Sequence, residues 1–143
     1  MGELLDFYKG MDLSFLQQCQ EEGMVLRDFD GAPRDPLQLA KECGVNAVRL
    51  RLWNSPEHVP ESGGYCSLPR TLEMGRKIKE AGLDFLLDFH YSDYWADPAQ
   101  QRKPKDWEGL SQEELEQAVF RFTRDSLLTL KEGGAMPDMV QIG

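Results

Sequence analysis

Asn46-Ala-Val-Arg-Leu-Arg-Leu-Trp53 alternates without a break, and its reading decides the fold. A β-strand sends successive side chains to opposite faces. Val48, Leu50 and Leu52 therefore lie on one side, and Arg49, Arg51 and Trp53 on the other. Upstream, Asp35-Pro36 supplies a capping Asp and a Pro at the first helical position of a segment that carries Leu37, Leu39 and Ala40 and stops at Gly44. Downstream comes a loop over residues 54–66, then a helix from about Ser67 that ends at Gly82. Leu83 to His90 is a mostly apolar run, the pattern of a strand covered on both faces of a parallel sheet. The unit is strand, helix, strand, and it repeats.

The repeat extends both ways. Phe7 to Asp12 reads as a strand, and Ser14 with Gln17 as a capping box opening a helix that Gly23 closes. Met24 to Phe29 is extended and enters a turn at Asp30-Gly31. After the third strand, a loop with Tyr91, Trp95, Pro98, Pro104 and Trp107 leads to Ser111 and Glu114. These two form a capping box for a long helix through Leu115, Val119, Phe122 and Leu130. Asp138 to Gly143 begins a fourth strand. Long polar loops follow strands, and tight Gly turns follow helices. In parallel α/β folds the ligand sits at the carboxyl ends of the strands, on the side of those long loops. A (β/α)8 TIM barrel takes roughly 250 residues, so four strands make about half of one. The expected fold class is α/β, the amino-terminal half of such a barrel. Residues 1–143 then form one partial catalytic domain, truncated after its fourth strand; a complete open four-stranded α/β domain is the alternative.

Composition narrows the function. The 143 residues carry 16 Lys+Arg against 25 Asp+Glu, a net charge of −9, which disfavours nucleic acid, whose phosphates need clustered cations. No run approaches the ~18 apolar residues of a membrane span, so no membrane partner is expected. Met1-Gly-Glu-Leu-Leu-Asp6 lacks the basic-then-apolar order of an export signal, which leaves localisation open. Cys19, Cys43 and Cys66 are odd in number and widely spaced, as free thiols are. No phosphate loop, Gly-x-Ser-x-Gly elbow or His-Glu-x-x-His occurs, and no cofactor is expected.

Strand parity locates the chemistry. Gly10 and Asp12, then Arg49, Arg51 and Trp53, then Leu86, Asp88 and His90, then Gln141 and Gly143 each share a face near a strand's carboxyl end. Buried guanidinium requires an acidic partner, here Asp12 or Asp88. Asp88 and His90 read either as a hydrogen-bonded structural pair or as site groups. With Asp93 and Asp97 they make a poor metal set, one His and no Cys, so no metal is expected. The loop Tyr91-Ser-Asp-Tyr-Trp-Ala-Asp-Pro98 mixes rings and acids, as a platform for a neutral sugar does, and equally as a plug over a barrel mouth. Trp53 and Trp107 extend the platform on the first reading.

Lys9-Gly-Met-Asp12, Val45 to Trp53, Asp88-Phe-His-Tyr-Ser-Asp-Tyr-Trp-Ala-Asp-Pro98 and Pro137 to Gly143 resemble, in order, family 53 of the glycoside hydrolases, the arabinogalactan endo-β-1,4-galactanases. The resemblance implies a (β/α)8 barrel that cleaves internal β-1,4-galactosidic bonds with retention, using two glutamates. Neither is in this chain: the acid/base Glu is expected just after Gly143 and the nucleophile far downstream. Arg49, Asp88 and His90 match positions lining the cleaved-sugar site, and Trp95 matches a substrate-contacting aromatic. With Asp12 from the shared polar face and Trp53 from the platform, they are the expected substrate-binding set. The partners implied are β-1,4-galactan and arabinogalactan oligosaccharides, and relatives are commonly secreted. Another retaining endo-glycanase of the same barrel type, or a non-catalytic carbohydrate-binding or assembly fragment, are the alternatives.

Overall fold

The computed structural model of the protein describes residues 7–143; the Met1–Asp6 segment, where the export reading fell, lies outside the described residues. The chain runs β1 (Gly10–Asp12), α1 (Leu16–Glu21), α2 (Pro36–Glu42), β2 (Ala47–Leu52), α3 (Leu68–Glu80), β3 (Asp84–Phe89), α4 (Gln112–Glu132) and β4 (Met139–Ile142). Short 3-10 turns occupy Pro56–His58, Pro60–Ser62 and Lys105–Trp107. The four strands form one parallel sheet in the order β1-β2-β3-β4. Sequential neighbours joined by helices are what a barrel wall requires.

Local chemistry sets the element ends. Asp35 caps α2 by accepting the Gln38 N–H at 2.9 Å, and Ser111 with Glu114 forms the expected reciprocal capping box on α4. Gly82 takes φ +70° between α3 and β3, a backbone state costly for a residue with a Cβ. Ser14 differs from expectation. The cap of α1 is Phe15, without a side-chain bond. Ser14 is instead buried, and its hydroxyl accepts the Arg51 N–H at 2.9 Å, continuing the pairing of the first two strands where β1 itself has ended.

One face of the sheet is the core. Val48, Leu50 and Leu52 of β2 and Phe85, Leu87 and Phe89 of β3 pack against Leu37, Met74, Ile78 and Leu130 of the helices. Each such burial is worth roughly 1.5–3 kcal/mol, and together they hold the strands at fixed depth. Gly75 fits closely here, because a Cβ would stand 3.0 Å from both the Phe85 ring and the Ala135 methyl, and both would have to give way. Asp138 anchors the start of β4, accepting from the Phe85 N–H at 2.8 Å and from Lys79 Nζ at 2.7 Å. The opposite face carries the polar side chains singled out by parity. β1 and β4 each pair on one side only among the described residues.

Candidate functional site

Register places the polar face. Asp12 stands beside Arg49, Arg51 beside Asp88, and Asp88 beside Gln141. Arg49 is the hub: its guanidinium bonds the carboxylates of Asp12 and Asp88, and its Nε donates to Gln141 Oε1 at 3.1 Å. Side chains of the three other strands thus meet at one cation of β2. Asp88 is 1% exposed, with Oδ1 unpartnered, so its negative charge is held out of water and directed at Arg49 and His90. His90 Nε2 lies 2.9 Å from Asp88 Oδ2. The Ala96 N–H donates to His90 Nδ1 at 3.4 Å, which assigns the ring proton of a neutral imidazole to Nε2, facing Asp88.

Burial alone would raise Asp12. The Ser14 backbone N–H at 3.0 Å, the Ser14 side chain, and the charges of Arg51 and Arg49 outweigh it and hold the carboxyl below the ordinary carboxylate range. A sheet-end group of two carboxylates, one imidazole, one amide and a shared guanidinium can accept from and donate to several hydroxyls at once. That is the chemistry of polyol binding. Arg49, Asp88, His90 and Gln141 line an open cavity of about 400 Å³ that Tyr91, Pro98, Arg102 and Lys103 complete.

Tyr91 turns the chain out of β3 at φ +43°, an uncommon state for a residue with a side chain. The ring stacks on Phe89 at 5.5 Å, and its hydroxyl shares a 2.8 Å hydrogen bond with Thr123 of α4, which hold it there. Trp95 is half-buried and packs 6.1 Å from His90, but lines a neighbouring cavity of about 290 Å³ with His58, Tyr94 and Lys103. Arg102 and Lys103 form the wall common to both cavities.

Trp53 corrects the platform reading. It has no exposed surface and sits beneath the loop, 4.8 Å from the Tyr94 ring and 6.0 Å from Trp95, so it supports the loop from below and offers no face to a ligand. Trp107 is buried too, against Tyr91 and Phe122. Its ring fills the seam between the loop and α4. Arg51 departs from a simple ion pair: Asp12 is 3.7 Å away, while the guanidinium carbon lies over the rings of Phe15 at 4.4 Å and Trp95 at 4.1 Å. Phe15, Arg102 and Lys103 escaped the sequence reading. Phe15 carried a signal, an aromatic at a helix entry just past β1, whereas the loop cations follow no period. Among the described residues no three His, Cys, Asp or Glu side chains gather as a metal set.

Comparison with known proteins places this geometry. A Niallia circulans protein encoded in the bgaB 5′ region is 53% identical over 96% of this chain, which covers 36% of that protein. An endo-β-1,4-galactanase of Bacillus subtilis is 36% identical and an arabinogalactan endo-β-1,4-galactanase of Cellvibrio japonicus 37% identical, each over 96% of this chain. The chain covers 33% and 35% of those two. The solved catalytic domain of an Ignisphaera aggregans family 53 protein superposes with a TM-score of 0.90 at 46% identity, over 99% of this chain and 40% of that one. A fungal β-1,4-galactanase superposes at 0.85 with 32% identity. The chain therefore spans about a third of the length of these curated relatives, and its three β/α units and fourth strand are part of a TIM barrel. The profile of Glycosyl hydrolase family 53 matches residues 8–143, and the chain belongs to that family.

Proposed function

We propose that this chain is the substrate-gripping side of an endo-β-1,4-galactanase that cleaves galactan or arabinogalactan with retention. Asp12, Arg49, Asp88 and His90 bind sugar hydroxyls around the scissile bond, and Trp95 stacks on a neighbouring ring. The single observation that carries this reading is the Arg49 hub, where three strands converge on one cation at the carboxyl end of the sheet. Retaining hydrolysis needs two carboxyl groups about 5–5.5 Å apart, one to protonate the leaving oxygen and one to attack the anomeric carbon. Asp12 and Asp88 do not serve as that pair, since both are committed to Arg49. The two glutamates lie outside residues 1–143, and these residues alone are inactive.

The test titrates the 143-residue chain with β-1,4-galactotetraose, xylotetraose and mannotetraose, watched by NMR, and assays galactan hydrolysis in parallel. Binding of the galactose oligomer alone, without hydrolysis, supports the proposal. Preference for xylo- or mannotetraose would move the substrate to another β-1,4-glycan. Release of galacto-oligosaccharides by the chain would refute the assignment of the catalytic pair.

A further inference from the structure

Arg51 is the group at this site that the reading above leaves without a task. It is nearly buried, yet its nearest carboxylate oxygen is 3.7 Å away and its Nε has no partner. A guanidinium tolerates such surroundings because its flat, weakly hydrated faces can be covered by aromatic rings. Phe15 and Trp95 cover them, at 4.4 and 4.1 Å. The remaining neighbours of Trp95 act differently. Phe15, Trp53 and Tyr94 meet it edge-on and His90 at a tilt, with centroids 5.8 to 6.5 Å away. Arg51 is thus the cation stacked on the face of the indole, while the half-buried ring borders an open cavity.

We infer that Arg51 is a positioning residue. It occupies one face of Trp95, fixes the plane in which the other is offered to a sugar, and ties that plane to the polar cluster. The tie is Asp12, whose carboxylate faces Arg51 and Arg49 together. The backbone N–H of Arg51 is itself held by Ser14, whose own N–H holds Asp12. Trp95 and Asp88 sit on one loop-and-strand segment, but their relative placement is set across the sheet, through Arg51, Asp12 and Arg49. Without Arg51 the indole keeps its edge contacts and gains freedom to tilt. A mobile side chain that must be frozen on binding weakens affinity.

This inference rests on Trp95 being a sugar contact, and the experiment separates the two. The 143-residue chain is labelled with 5-fluorotryptophan, giving ¹⁹F lines for Trp53, Trp95 and Trp107, and titrated with β-1,4-galactotetraose. Arg51→Met should move the Trp95 line before any sugar is added, leave the Trp107 line in place, and weaken binding about threefold to tenfold. Arg51→Lys keeps the charge without the plane and should fall between. Should Arg51→Met displace the Trp107 line as an unfolding marker, Arg51→Lys decides, by a moved Trp95 line and at least about twofold weaker binding. Binding within about twofold of wild type by the deciding variant, alongside loss of binding in Trp95→Ala, overturns the role of Arg51 alone. Trp95→Ala binding as wild type overturns the sugar contact, and the positioning role with it.

Discussion

Replacing Arg49 by Met tests the hub directly. The substitution keeps the length and apolar stem of the side chain and removes the cation. Breaking a buried pair from one side costs about 3–5 kcal/mol, because the surviving charge is left unpaired. Asp88 is such a charge, at 1% exposure, whereas the Arg49 side chain is 28% exposed and Asp12 33% exposed. Asp12 also keeps its Ser14 N–H and its distant contact with Arg51, so its loss counts as a surface pair, at most about 1 kcal/mol. His90 remains 2.9 Å from Asp88 and offsets part of the rest. The expected destabilisation is about 3 kcal/mol. With a urea slope of about 2 kcal/mol per molar, the unfolding midpoint falls by about 1.5 M, read by tryptophan fluorescence. Asp88→Asn alone should cost about 1–2 kcal/mol, since Arg49 retains Asp12 and Gln141. The double variant should be less destabilised than the sum by about 2 kcal/mol. Additivity within about 0.5 kcal/mol would mean the two residues do not act as a pair, and the convergence of strands on Arg49 would lose its energetic meaning.

Ser14→Ala removes the hydroxyl that accepts the Arg51 N–H, orphaning a buried donor, and should cost about 1–3 kcal/mol in the same urea assay. Cys66 is buried, and burial pushes its thiol up to about 11; at pH 8 a disulfide reagent should modify exposed Cys43 rapidly and Cys66 only on unfolding. Burial works to raise Asp138, but Lys79 and the Phe85 N–H prevail and leave it below its ordinary value of 3.8. A depressed carboxylate stabilises the fold above its unfolded value and loses that share as pH falls through the folded one. Asp138→Asn should accordingly flatten the loss of stability below about pH 4, measured by thermal melts across an acid series. For residues 1–143 taken alone, the β4 edge that pairs with no strand among the described residues, with Val140 and Ile142 exposed, should drive concentration-dependent self-association visible by sedimentation velocity.

The sheet was legible because its signal is periodic. Arg49 and Asp88 fall on the polar face by simple alternation, and the apolar partners of each strand enter the core as alternation requires. Asp35, Ser111 and Glu114 were legible because a cap is a local bond spanning three residues. Ser14 has the same local pattern and a different partner. The Arg51 N–H lies 37 residues away in sequence, and its proximity depends on strand pairing. Trp53 fails for a related reason. Alternation assigns it to the polar side correctly, but the loop from Tyr91 to Pro98 folds back over it, and a side does not specify what covers it.

Face and depth are separate quantities, and the two arginines of β2 show how they part. Arg49 and Arg51 are two residues apart, point the same way, and have the same chemistry. Register would assign Asp88 to Arg51, its Cα partner on β3, yet the carboxylate bonds Arg49 from one step below. The reason lies in what surrounds each position. Level with Arg49 β1 still runs and supplies Asp12, while β3 and β4 reach back with Asp88 and Gln141 from the level of Arg51. At Arg51, β1 has ended, and the chain entering α1 brings Phe15 across while the β3 loop brings Trp95. A guanidinium satisfies either environment, through its edge among carboxylates or through its faces between rings. Lysine has the edge charge without the faces, so the exchange Arg51→Lys should be felt at the indole, whereas Arg49→Lys should be felt at Asp88, whose bond to Arg49 a single ammonium cannot keep while also reaching Asp12 and Gln141.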